Sequence, residues 1–571
     1  GFSNYVQLPD EIDTDVVDGK ISEVIRNNDP NFGDTAAYIR LYNVDGTAGF
    51  IQYVYIFSTI AVIVLLIACI NYMNLSTARS VKRSKEIGLR KVVGSNRSQI
   101  IRQFFTESIL YSFLSFLLSI FIVRLLLPQF NALTGKQIAF SLTNVGDLSG
   151  LIIIAVATGF ISGCYPALYL SSFKPISIIR KLTGEGGRST LFRKALVVMQ
   201  FSLSTGLIVC MMIVSNQVSF MRNAEVGFEK DNVITLPVSG NIENFLESFK
   251  LELLQNPAIL NASVKSTSPL SSGGTSGTIS WEGKDPAQQI AFNHPMVDHD
   301  YFKTLNMNIK EGRDFSKDIQ SDHNNGFIIN EEAVRQGNIE NPVGKQIRVN
   351  GASGAIIGVV RDAQLGSLRF TIQPEVYHLS RSFREQFQTL FIKINPGSRD
   401  DRVGNITSAI AHAQTVWNKF LPDSPFEYRF LDETIGNQYR GELRIKGLLN
   451  YFTFLAVFLS CLGLFGLTSF MTEQRTKEIA VRKTLGAPVS KILYILMNQF
   501  LVWILIANII AWPVSYYLMN RWLQDFSNRI DIAIVTFVFA FGLTLVIAVT
   551  TVIYQSLKAA LANPVDSLMY E

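Results

Sequence analysis

Apolar residues gather into blocks along this chain rather than alternating with polar ones. Seven runs carry no Asp, Glu, Lys or Arg: residues 46–78, 108–123, 148–173, 195–221, 447–472, 492–520 and 532–557. A helix needs about 20 mostly apolar residues to cross the hydrocarbon of a bilayer, and six runs reach that length directly. The second needs its flanks, Phe104 to Leu127, with Glu107 and Arg124 near opposite interfaces. Soluble helices seldom stay charge-free for so long. The pattern predicts seven membrane helices.

The texture changes between 222 and 446. Short β-like runs such as Val233–Val238, Ala355–Val360 and Thr389–Ile394 alternate there with helical stretches such as Ile242–Gln255 and Arg402–Lys419. Gly-rich stretches at Ser271–Gly277 and Asn350–Gly354 read as turns or loops. This predicts a mixed α/β domain inserted between the fourth and fifth spans. Its last helical stretch, from about Asp432, is expected to run on unbroken into the fifth span.

Composition sharpens the picture. Of 571 residues, 48% are hydrophobic and 17% charged, against about 25% charged in soluble domains. A net charge of +5 excludes a strongly basic nucleic-acid binder. Cys69, Cys164, Cys210 and Cys461 fall inside apolar runs, without CxxC pairs or a disulfide framework. Lys and Arg crowd the loop 79–102, the segment after the third span and the loop after the fifth, whereas loops 128–147 and 521–531 carry few, mixed charges. Basic short loops face the cytoplasm, so residues 1–45 and 222–446 are expected on the outer side.

A repeat carries the most information. KEIGLRKVVG (Lys85–Gly94) returns 392 positions later as KEIAVRKTLG (Lys477–Gly486), each copy following one span and preceding another. Tyr165 and Pro175 after the third span likewise answer to Tyr554 and Pro564 after the last. The two units are parallel repeats, unlike the inverted repeats of many secondary transporters. In each decapeptide the Ile and the Leu/Val positions are expected to share one apolar stripe, and the final Gly to cap a short helix.

These loops resemble those of the FtsX-like/MacB-like permease family of ABC transporters. So do LIACINYMNLSTARS (66–80), CLGLFGLTSF (461–470) and LANPVDSL (561–568), while VDHDYFKTLNMNIKEGRDFS (297–316) and FIINEEAV (327–334) look like that family's extracytoplasmic domain. The resemblance covers essentially the whole chain and is closest to long bacterial permeases with two outer domains and eight spans. It implies a multi-span α-helical membrane protein with a mixed α/β extracytoplasmic domain and two FtsX-like repeats. On that plan residues 1–45 are the remnant of a first outer domain whose preceding span is missing. Residues 46–173 form the three-span first repeat, 174–194 a cytoplasmic linker, and 195–221 the helix opening the second repeat. Residues 222–446 form the MacB-like domain, 447–557 the three spans of repeat two, and 558–571 a cytoplasmic tail. The resemblance also makes Lys85, Glu86, Ile87, Arg90, Lys91 and Gly94, with Lys477, Glu478, Ile479, Arg482, Lys483 and Gly486, coupling residues seated on an ATPase.

Other chemistry is missing. Gly135-Lys136 and Gly344-Lys345 are each followed by Gln, and the run from Gly184 to Thr190 has Arg where a phosphate loop needs Lys. The chain is therefore expected to bind no cofactor and to hydrolyse no ATP, with ATP and Mg held by a separate subunit. No span core carries a carboxylate, His or Lys, which argues against ion-driven transport. His294, Asp298, His299 and Asp300 do not match zinc spacing, and no metal site is expected. Gly159 and Gly163 form a GxxxG that permits close helix packing.

The reading is a permease subunit of the bacterial inner membrane, large domain periplasmic, transmitting the motion of a cytoplasmic ABC ATPase dimer for export or extraction. Further expected partners are a second permease copy or a homologous permease, a periplasmic or outer-membrane protein, and lipid. The rivals are an FtsX-like signalling subunit acting on cell-wall hydrolases, and an ATPase-independent receptor or scaffold.

Overall fold

Without water to satisfy them, the backbone groups of an apolar run must bond to one another, and each of the seven runs forms one long helix. The computed structural model describes residues 48–561 apart from 135–136, 140–144, 172–186, 239–241, 272–274, 277–278, 286–287, 289, 380–385, 399–400 and 475. The expected remnant at 1–45, the Pro175/Pro564 match, most of the linker and the last ten residues lie outside the described residues. The membrane-unit helices are α1 (Ala48–Val92), α2 (Arg97–Thr134), α3 (Val145–Ser171), α4 (Gly187–Asn223), α5 (Arg440–Gln474), α6 (Thr476–Thr484), α7 (Val489–Leu523) and α8 (Ile534–Leu561). All but α6 are long and apolar enough to cross a bilayer. Helix α4 starts at Gly187, so 187–194 of the expected linker is helical; no proline interrupts it, and Leu191 and Phe192 extend the apolar run.

The described chain forms two compact units. One comprises residues 219–441 with 524–529, the other 48–218, 442–523 and 530–561.

In the mixed unit, a four-stranded antiparallel sheet runs in the spatial order Arg429–Phe430, Val233–Pro237, Thr389–Ile394, Ile259–Lys265. Its core is formed with the helices Leu246–Leu253 and Arg402–Phe420, and includes Phe249, Val264, Leu390, Val416 and Trp417. Each such side chain stabilises the fold by about 1.5–3 kcal/mol when fully buried. A second sheet, of six strands, has Gly326–Asn330 parallel to Ala352–Val360 over its own core of Trp281, Phe292, Phe327, Ile329 and Ile356.

The expected continuous helix from Asp432 is interrupted. Residues Leu431–Gln438 form one helix, Tyr439 ends it, and α5 begins at Arg440. Gly436 and Gly441 weaken helix propensity on either side. The buried Tyr439 hydroxyl accepts a hydrogen bond from the Leu368 amide at 3.1 Å. Residues 524–529 hold the same loop: the Ser527 and Asn528 amides donate to the Arg369 and Leu368 carbonyls, and the Arg369 guanidinium lies 4.9 Å over the Phe526 ring.

In the helical unit α4 is the most enclosed span, with over half of its apolar stretch buried against none of α2's. Hydroxyls join the spans where no water competes: Ser204 to Ser460 at 2.7 Å, and Ser202 to the Ala507 carbonyl at 3.0 Å. Helices α2 and α3 approach closely at Gly159 and Gly163. A Cβ at Gly159 would lie 2.9 Å from the Ile109 backbone, and one at Gly163 2.8 Å from Ser108.

Candidate functional site

The two KEI loops agree in how they end. The first copy is the last stretch of the 45-residue α1; the second is largely α6, and residue 475, between α5 and α6, lies outside the described residues. Both close on a glycine in the left-handed region, Gly94 at φ 104° and Gly486 at φ 85°. In copy one the Ser95 amide donates to the Arg90 carbonyl at 3.0 Å and Gly94 to Lys91 at 3.2 Å; in copy two Ala487 donates to Arg482 at 2.9 Å and Gly486 to Lys483 at 3.0 Å. This pair of bonds is the Schellman closure, which satisfies carbonyls otherwise left open at a helix end.

Charged positions match as well. Arg90 pairs with Glu86 at 2.7 Å and Arg482 with Glu478 at 2.6 Å, all four side chains substantially exposed. Copy one shows further ties, two of which rest on Gln103 and Arg97, where copy two has Ile495 and Val489. Arg90 donates to Gln103 at 2.9 Å, Lys91 to the Ser171 carbonyl at 2.7 Å, and Arg97 to the Ser171 hydroxyl at 3.3 Å. Partial burial, then neighbouring Arg97, holds the Lys91 ammonium below its usual pKa. A recess lined by Glu86, Ile87, Arg90, Ile100, Gln103 and Phe104 lies beside this loop. The side chains of Lys85 and Lys477 lie outside the described residues.

The single apolar stripe needs correction. Ile87 and Ile479 turn inward, packing with Ile100 and Ile492 of the following helices. Residues two apart on a helix do not share a face, and Leu89 and Val481 accordingly turn outward. One turn on, Val93 and Leu485 are 81% and 80% exposed. Each loop therefore offers an outward apolar pair, Leu89/Val93 and Val481/Leu485, at matching positions. The i, i+4 spacing in both decapeptides carried that signal.

In the mixed unit the motif around Asp298 forms an ion-pair cluster. The Lys250 ammonium donates to Asp298 at 2.7 Å and also to Asp300. Burial pushes the Asp298 carboxyl up to about 6 despite Lys250. For Asp300, burial is outweighed by the Lys250 hydrogen bond and charge, which hold its pKa down. His299 stacks on His323 at 6.4 Å between ring centres, and His294 meets Asn350 at 3.2 Å. His299 also feels the charges of Lys317 and Asp300, so the aspartate cluster and the His299–His323 pair adjoin.

Seven spans, a duplicated loop and an inserted α/β unit define a class of membrane permease, and comparison with known proteins gives its family. The family described as FtsX-like permease C-terminal matches residues 58–175 and again 450–564, and the MacB-like periplasmic core domain matches 196–409. The chain belongs to the FtsX/MacB-like ABC permeases, as a membrane protein carrying a periplasmic-type domain. It is 26% identical over 225 residues to a macrolide export ATP-binding/permease protein MacB of Aggregatibacter actinomycetemcomitans, a match covering 36% of this chain and 31% of that protein. It is 33% identical over 121 residues to a pyoverdine export ATP-binding/permease protein PvdT of Pseudomonas savastanoi, covering 21% of this chain and 18% of that protein. The chain thus spans less than a third of the length of these relatives. Among solved structures, the periplasmic region of MacB from Actinobacillus actinomycetemcomitans aligns at 17% identity and a TM-score of 0.27, over 37% of this chain and 93% of that one.

Proposed function

We propose that the chain is the transmembrane subunit of an ATP-driven ABC system in a bacterial inner membrane, with its α/β unit in the periplasm. A separate cytoplasmic ATPase dimer, carrying ATP and Mg, docks on the two KEI loops, and the spans pass its motion to the periplasmic side for export or extraction. The observation that carries this reading is the recurrence, in both loops, of one cap, one ion pair and one outward apolar pair. A loop that only fixed topology would need its Lys and Arg but not Val93 and Leu485 in water. The contact residues are Leu89, Val93, Val481 and Leu485, flanked by the Glu86–Arg90 and Glu478–Arg482 pairs. Ile87 and Ile479 hold each loop to its own bundle, and Gly94 and Gly486 set its exit angle.

The test is capture of a cytoplasmic ABC ATPase subunit by this chain. Burying one such side chain is worth about 1.5–3 kcal/mol, or about 10- to 100-fold in affinity. Val93→Asp with Leu485→Asp should cut capture at least tenfold while the chain stays monodisperse and keeps its thermal midpoint. Undiminished capture by that double variant would remove the docking role.

A further inference from the structure

The 392-residue offset that carries Lys85 onto Lys477 also carries CINYMNL (Cys69–Leu75) onto CLGLFGL (Cys461–Leu467). Asn71 answers to Gly463 and Asn74 to Gly466. Helices α1 and α5 meet at these same positions. The Asn71 amide Nδ2 donates to the Leu459 carbonyl at 2.5 Å, one turn before Gly463. A Cβ at Gly463 would overlap Asn71 Oδ1 and lie 3.0 Å from Gln200 Nε2 of α4; one at Gly466 would overlap the Leu75 side chain. At Asn71 and Gly463 the repeats therefore touch through corresponding positions that differ in kind, a side chain on α1 and a glycine notch on α5; the second notch, Gly466, takes Leu75, one position beyond its counterpart Asn74.

We propose that this asymmetry is a pairing lock that makes the first repeat's partner the second repeat of the same chain, and not the matching repeat of a second copy. A like-with-like pairing of first repeats would set Asn71 against Asn71 where the present spacing has room for one side chain. The helices would have to move apart, and each amide would lose the carbonyl it now reaches. A pairing of two second repeats would set notch against notch, leaving the Leu459 carbonyl without its second donor. Specificity of this kind needs a feature that disfavours the wrong pair as well as one that favours the right one, and a buried Asn sets partner choice in helix pairs by the same means. One chain then supplies both KEI loops, and a second permease copy is not needed to complete the membrane unit.

The test uses the full chain co-expressed in two tagged forms, with capture on one tag, quantification of the other, and a thermal midpoint for each variant. The unaltered chain should capture its second form only at background level. Gly463→Asn should lower the midpoint and raise cross-capture by about fivefold or more, because intrachain pairing is lost. Reversing the lock with Asn71→Gly in the Gly463→Asn background should return both readouts most of the way. Should Gly463→Asn prevent folding, Gly466→Ala offers a milder block, to be relieved by Leu75→Ala. Stoichiometric capture of a second copy by the unaltered chain would overturn the proposal. So would wild-type behaviour of both Gly463→Asn and Gly466→Ala, or failure of both compensating changes to rescue.

Discussion

The two KEI loops share six of ten residues and the same closing geometry, yet they are tied down differently. The first is the end of a single 45-residue helix, tied to the end of α3 through Lys91, Arg97 and Ser171. In the second, Val489 and Ile495 stand where the first copy has Arg97 and Gln103, so neither of those two ties can form. The difference teaches that duplicated sequence conserves the contact surface and the exit turn while leaving the mounting free to diverge.

The largest effect expected on the first loop is a proline within its helix. Ser84 lies inside α1, where proline removes a hydrogen bond and clashes with the preceding turn, at about 3 kcal/mol or more. Ser84→Pro should therefore lower the thermal midpoint of the chain strongly, and an unchanged midpoint would mean that the first loop does not depend on the continuity of α1.

Much of this was legible beforehand. Spans could be read because charge is intolerable in hydrocarbon, so its absence marks them directly. The caps could be read because only glycine takes positive φ cheaply, and Gly94 and Gly486 close both decapeptides. What could not be read depends on distant partners. The interruption at Tyr439 is fixed by the Leu368 amide, 71 positions away in sequence. The inward turn of Ile87 against the outward turn of Leu89 follows from helical spacing, but which of them meets the bundle was settled only by Ile100. Asn71, inside a motif quoted for its resemblance, showed its role only once Gly463 was found opposite.

A smaller effect probes what the copies share. Gly94→Ala and Gly486→Ala each force a Cβ into the left-handed region, at about 1–2 kcal/mol, and neither Cβ would meet another atom within 4 Å. The cost is then pure backbone strain and should be the same in both copies, read as equal shifts of the thermal midpoint. A loss confined to one copy would show that its cap is maintained by something beyond the turn.

The smallest effect on folding falls on the charges, and it separates structure from docking. Glu86–Arg90 and Glu478–Arg482 are exposed i, i+4 pairs, worth about 0.3–0.5 kcal/mol each. Glu86→Lys or Glu478→Lys should thus leave the midpoint within about 1 kcal/mol of the unaltered chain, since a like-charge i, i+4 pair is unfavourable by a similar small amount. The copies should differ slightly. Arg90 keeps Gln103 as a second acceptor, so its side chain stays in place when Glu86 is lost. At a docked interface the same reversals weigh more, because a charge desolvated against the wrong sign can cost several kcal/mol. Reversing both should therefore weaken ATPase capture well beyond its effect on folding, and more so at low salt, where exposed charges are less screened. If capture and midpoint move together by the same small amount, the carboxylates serve only their own helices, and the contact rests on Leu89, Val93, Val481 and Leu485.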